Sequence, residues 1–155
     1  MTPYTLLYTL HVLGALIWVG SLFFAWVILR PAAASALSVP QRLMLWGDIF
    51  PRLFVWIWVA AVILPISGVA ILHLRFSGFE TAPRYIQVMM GLYLVMTALL
   101  LRVQALQVPA LRQAVGLQDW DAGTAVLVGI RRLLGINLLI GLAVVAIAAW
   151  RPVGL

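Results

Sequence analysis

The sequence has no cysteine and no lysine, and its only carboxylates are Asp48, Glu80, Asp119 and Asp121. Each shortage excludes something. Without cysteine there is no disulfide, no thiolate metal centre and no thiol nucleophile, and the redox state of the compartment leaves no trace in the chain. Without lysine, the net charge of +6 comes from arginine alone. The carboxylates fall between apolar runs and on no common helix face, which excludes a paired-carboxylate hydrolase centre. No Ser/His/Asp arrangement and no phosphate-cradling loop can be laid out either. Charged residues make up 9% of the chain, against about a quarter in soluble domains, so an ordinary soluble fold is excluded as well. A basic balance in a soluble protein would point to nucleic acid. Here the arginines stand singly or in pairs at the ends of apolar runs, where they anchor to headgroups and set topology. Nucleic-acid binding is therefore rejected.

What the chain has in abundance is apolar length: 65% of residues are hydrophobic and the mean hydropathy is +1.13. Four runs, over about residues 4–29, 52–74, 85–108 and 125–150, can each cross a hydrocarbon layer of roughly 30 Å. The fold class that follows is all-α: an integral membrane four-helix antiparallel bundle, forming a single membrane domain over 1–155. The first run has no basic residue before it and exceeds the roughly 7–15 residues of a signal core, so it reads as a retained span. Arg30-Pro31 is expected to end the first helix. Ser38-x-x-Gln41 with Pro40 is expected to cap a short interfacial helix over about 38–50. Pro65 removes the hydrogen bond to the Ala61 carbonyl, and with Ser67-Gly68 following it predicts a local kink. An aspartate in the third connection can cap the last helix. Asn137, the one amide deep in the membrane, is expected to hydrogen-bond a neighbouring helix.

Four spans put both termini on one side. The connections after the first and third spans carry Arg30, Arg42, Arg52, Arg102, Arg112, Arg131 and Arg132, whereas the other side has Arg75, Arg84 and Arg151. The positive-inside rule then predicts a bacterial inner-membrane protein with both termini outside, which is periplasmic in a Gram-negative cell. Small residues in spans 1 and 4, among them Gly14, Gly135 and Gly141, suit close helix contact. Beyond the lipid bilayer, a homo-oligomer or another membrane protein held through those spans is the expected partner.

The two histidines, His11 and His73, map to the same leaflet. His11 lies about two turns into the first span, and an imidazole inside a span is a functional-site candidate. His73 closes the second span, and Gln87, Met89 and Met90 open the third. Imidazole with thioether suits copper, Cu(I) above all, so His11, His73, Met89 and Met90 are the candidate metal ligands. The same His11 could be an axial ligand of haem b, with Arg75, Arg84 and Arg151 as cofactor-binding partners of the propionates. Plainer roles stay open: His73 as a terminal polar residue, the methionines as packing, and His11 as a structural histidine partnered by Tyr8 or Gln87.

Leu10-His11-Val12 followed by Trp18-Val19-Gly20, the Arg30-Pro31 exit, Arg52-x-Phe54, Ser67-Gly68, and Arg131-Arg132-Leu133 with Asn137 together resemble small CopD-like integral membrane proteins. The resemblance covers essentially the whole chain. It implies a four-helix membrane unit associated with copper resistance or copper transport. The first span is also similar to that of HemJ-type protoporphyrinogen oxidases, in which a histidine matching His11 is implicated in haem binding. Those enzymes use a lysine in the third span, which this chain lacks, and that disfavours the oxidase activity. Where CopD-like relatives often carry a histidine near the start of span 3, this chain has Gln87. The expected function is copper handling near the outer face. The alternatives are a b-type haem redox protein using His11, and a cofactor-free accessory subunit.

Overall fold

In the computed structural model, which describes residues 2–150, the chain folds into four long helices: α1 (Pro3–Ala36), α2 (Val39–Phe76), α3 (Arg84–Gly116) and α4 (Trp120–Trp150). Among the described residues there is no strand. Each helix is long and apolar enough to cross a membrane, and the protein is a multi-pass membrane protein. The helices alternate in direction. One end of the bundle, the terminal end, therefore holds Pro3, the α2–α3 connection and Trp150, and the far end holds the α1–α2 and α3–α4 connections.

The helices are longer than a bilayer needs. Measured from the terminal end, Arg30, Arg52, Arg102 and Arg131 lie roughly 27–40 Å along their own helices at 1.5 Å per residue. That distance is of the order of the hydrocarbon thickness, and arginine is the residue expected at its far boundary. Between the two levels the outward side chains are apolar, as with Leu16, Val55, Ile66, Leu94 and Leu139, all at least 60% exposed. Beyond the arginine level the helices continue as a collar on the water side. The collar has its own core of Leu43, Trp46, Phe50, Leu111, Leu127 and Ile130, none more than 2% exposed.

The collar corrects three expectations. Arg30-Pro31 does not end the first helix, which runs on to Ala36. The segment over 38–50 is not a separate interfacial helix but the start of α2. The third helix passes through Pro109 to Gly116. The reason in α1 and α3 is a widened turn just before each proline: the Arg30 N–H bonds to the Ala25 carbonyl, and the Val108 N–H to the Val103 carbonyl. A turn of this width relieves the clash between the proline ring and the preceding turn, so the helix continues. In α2, Leu43, Trp46, Phe50, Phe54 and Ile57 form one buried stripe at helical spacing, and packing along it holds the helix through Pro51.

The ends follow ordinary capping chemistry. The Thr2 hydroxyl accepts from the Thr5 N–H at 3.3 Å, the Ser38 N–H donates to Gln41 Oε1 at 3.1 Å, and the Ala122 N–H donates to Asp119 Oδ1 at 3.0 Å, each satisfying a terminal backbone group. The turn after α2 is made by Ser77 and Gly78 at φ 58° and 130°, and the second of these values is one that only glycine takes without strain.

Helix α1 packs along α2 and also touches α4, α3 packs along α4, and the far segment of α3 closes on α2 and α4. Asn137 Nδ2 donates to the Met96 carbonyl at 2.8 Å, the expected bond to a neighbouring helix. Three glycines of spans 1 and 4 serve contacts inside the bundle: Gly14 faces Leu64, Gly135 faces Trp26, and Gly141 faces Val19 and Met96. A Cβ at position 135 would lie 2.7 Å from Trp26 Nε1, the atom that donates to the Arg131 carbonyl at 3.2 Å. Gly135→Ala is therefore expected to cost about 1–3 kcal/mol through overpacking. Denaturation in detergent would measure it, with Gly20→Ala, where a Cβ meets nothing within 4 Å, as the silent comparison.

Candidate metal-binding site

The local chemistry of α2 builds the site around Pro65. Proline carries no N–H, so the Ala61 carbonyl loses its helical donor. The Tyr93 hydroxyl of α3 replaces it, donating to Ala61 O at 2.7 Å. Tyr93 in turn stands edge-on to Trp18 of α1, with ring centroids 5.9 Å apart, so the proline opening ties three helices together. Two residues beyond Pro65, Ser67 is buried at 2% exposure. Its hydroxyl donates back to the Ile63 carbonyl at 2.6 Å, with the Leu64 carbonyl at 3.2 Å.

His11 of α1 docks on this stretch. Its Nδ1 lies 2.9 Å from Ser67 Oγ. A Cβ on Gly68 would come within 3.1 Å of the imidazole Cε1, so glycine there lets the ring lie flat against α2. The Leu64 carbonyl is a further acceptor beside the ring. The tautomer follows from the donors and acceptors available. A serine hydroxyl has one hydrogen, and with that hydrogen given to the Ile63 carbonyl at 2.6 Å, Oγ is left to accept from Nδ1. Nδ1 then carries the imidazole proton, and the lone pair sits on Nε2.

The other candidates are distributed differently. His73 is exposed on α2, Met90 is 39% exposed and Met89 half-buried on α3, and Gln87 is exposed. His11 is held by Ser67 rather than by Tyr8 or Gln87. Among the described residues, no group of three or more His, Asp or Glu side chains is placed to hold a metal. Arg75 is engaged at the terminal end, where Nη1 donates to the Tyr4 hydroxyl at 2.8 Å and the guanidinium lies 5.9 Å from the Tyr4 ring. Arg84 is exposed at the start of α3. Arg151 lies outside the described residues. A groove of about 1020 Å³ between α2 and α3 is lined by Pro51, Phe54, Trp58, Gln104 and Arg112 among others. It is bridged by a hydrogen bond from Trp58 Nε1 to Gln104. No histidine or methionine is among its lining residues.

Sequence reasoning missed Ser67 as the partner of His11 and Tyr93 as the partner of Ala61. The signal for Tyr93 was present, since Pro65 leaves a carbonyl that some donor must satisfy. For Ser67 it was the coincidence in depth, because both residues lie a similar number of turns from the terminal end.

A family model described as copper resistance protein D matches residues 47–151, more than half of the chain. The match begins beyond His11 and takes in His73, Met89, Met90, Tyr93 and Asn137. It lends nothing to the likeness of the first helix to HemJ-type oxidases, since that helix lies before Gly47. No curated protein matches the chain, and no solved structure does.

Proposed function

The chain belongs to the copper resistance protein D family, and from that membership we propose that it handles Cu(I) at the terminal end of the bundle, with His11 Nε2 as the ligand inside. The observation that carries the reading is the Ser67–His11 pair. A histidine whose Nδ1–H is held by a neighbour presents Nε2 in a fixed direction and as a better donor, which is how metal-ligating imidazoles are commonly supported. His73, Met89 and Met90 serve as ligands nearer the water. Their spread over two helices suits stepwise ligand exchange through sites of low coordination number better than one closed centre. Imidazole and thioether are the donors Cu(I) accepts, and no change of oxidation state is required.

The arginines support the orientation. With Arg30, Arg52, Arg102, Arg131 and Arg132 at the far boundary, that end is cytoplasmic, and the His11 end faces outward from an inner membrane. Copper would then be taken from, or delivered to, the exterior side.

The test is a Cu(I) titration of the purified protein against a competing chelator, together with an absorption spectrum. One tight site per chain and no Soret band are expected. In His73→Ala and in the Met89→Leu/Met90→Leu variant, the tight site should persist and the exchange rate fall. Absence of any tight site overturns the proposal, and a Soret band on purification transfers His11 to haem.

A further inference from the structure

At the opposite end of the bundle, arginines of two helices line one cleft whose lining holds no carboxylate, and a third helix brings another arginine close to it. Arg30 of α1 stacks on Trp26, its guanidinium carbon 4.8 Å from the ring centroid. Arg131 of α4 lies 5.9 Å from the Trp46 ring. Both arginines line one narrow cleft with Trp26, Trp46, Phe50 and Leu134, and no carboxylate is among the lining residues. Arg42, one turn before Trp46 on α2, is close enough that its charge and that of Arg30 act on Arg131.

The donors in this cluster are unspent. Arg131 Nε and Nη2, Arg42 Nε and Trp46 Nε1 are all buried without a hydrogen-bond partner. Buried donors without acceptors are costly, and guanidinium donors more so than neutral ones. Four such donors on two neighbouring helices, two of those side chains lining the same cleft as Arg30, call for an acceptor that carries negative charge. The aromatic rings hold the guanidinium groups in place through their faces and leave the N–H edges free. The cleft itself admits about 10 Å³, the space of one water-sized atom. A single oxygen can enter it while the rest of the group stays at the mouth.

We propose that Arg30, Arg42 and Arg131 form a phosphate-binding site at the far membrane boundary, one phosphoryl oxygen reaching the Arg131 and Trp46 donors and the others held by Arg30 and Arg42. The level fits, because Arg30 and Arg131 mark the edge of the hydrocarbon, where lipid phosphates lie. The chemistry fits as well, since guanidinium forks match phosphate oxygens two at a time. The group can belong to an anionic lipid headgroup or to free phosphate, and the experiment separates these sources.

Native mass spectrometry of the detergent-purified protein would compare retention of phosphatidylglycerol and phosphatidylcholine, with and without inorganic phosphate. The variants are Arg30→Gln/Arg42→Gln and, as a control at the same end, Arg112→Gln. For a lipid site, wild type retains phosphatidylglycerol over phosphatidylcholine, the double variant loses about 30-fold in that preference at roughly 1 kcal/mol for each of its two arginines, and Arg112→Gln keeps it. For a free phosphate site, inorganic phosphate raises the unfolding temperature of wild type but not of the double variant, and lipid preference is absent. The proposal falls if neither phosphate source is preferred by wild type, if the double variant behaves as wild type, or if Arg112→Gln loses as much. Unfolding temperatures of both variants without added phosphate show that each is folded.

Discussion

His11→Ala is expected to abolish the tight Cu(I) site while leaving the protein folded. His11 is half-buried at the contact of α1 with α2, and its polar partner keeps its own acceptors: Ser67 Oγ still has the Ile63 and Leu64 carbonyls after the imidazole is gone. The fold therefore loses one hydrogen bond and some packing, about 0.5–2 kcal/mol on the scale of polar contacts inside membrane bundles. On the proposed reading, the metal would lose its first ligand. Ser67→Ala makes the sharper comparison. It leaves the imidazole in place but frees Nδ1, so the ring can turn and change tautomer, and supporting partners of this kind are worth about 10–100-fold in metal affinity. The two variants should therefore rank His11→Ala, Ser67→Ala, wild type in chelator competition. A Ser67→Ala variant that binds Cu(I) as tightly as wild type would show that the imidazole's orientation is irrelevant to binding.

Phe50→Ala should be strongly destabilising, at about 3–5 kcal/mol. Phe50 is fully buried, stacked between Trp46 and Phe54 with centroids 5.1 Å and 6.0 Å away. Its position makes the loss large. It sits just beyond Arg52, in the collar, where the alternative to burial is water and the full apolar transfer free energy applies. Within the span the alternative is lipid, as apolar as the core itself, and only packing is lost. Ile57, also fully buried but inside the hydrocarbon level, should therefore cost less per atom removed when changed to alanine. Reversible unfolding in mixed micelles would compare them. Equal cost per atom at the two sites would mean that the collar is not a water-side core.

The sequence alone determined the four spans, their alternation and the levels of the arginines. The reason is that hydrocarbon admits only backbone hydrogen-bonded within its own segment, and about 20 apolar residues are needed to cross it. Asn137 was readable for the same reason, since an amide in lipid must find a partner on another helix. Tertiary structure alone decided how far each helix continues past the boundary and which side chains meet. Arg30-Pro31 looked like a stop because proline excludes an ordinary helical turn, yet a widened turn absorbs it, and what keeps that turn in place is packing in the collar. His11 and Ser67 are 56 residues apart, and Tyr93 and the Ala61 carbonyl 32 apart. Each pairing depends on the rotation of two helices about their own axes. A helix that is apolar all round carries no polar stripe to reveal that rotation, because lipid and core ask for the same side chains. The rotation is fixed instead by where glycines let neighbours approach and where a proline leaves a carbonyl unpaired, and those contacts exist only once the helices are assembled.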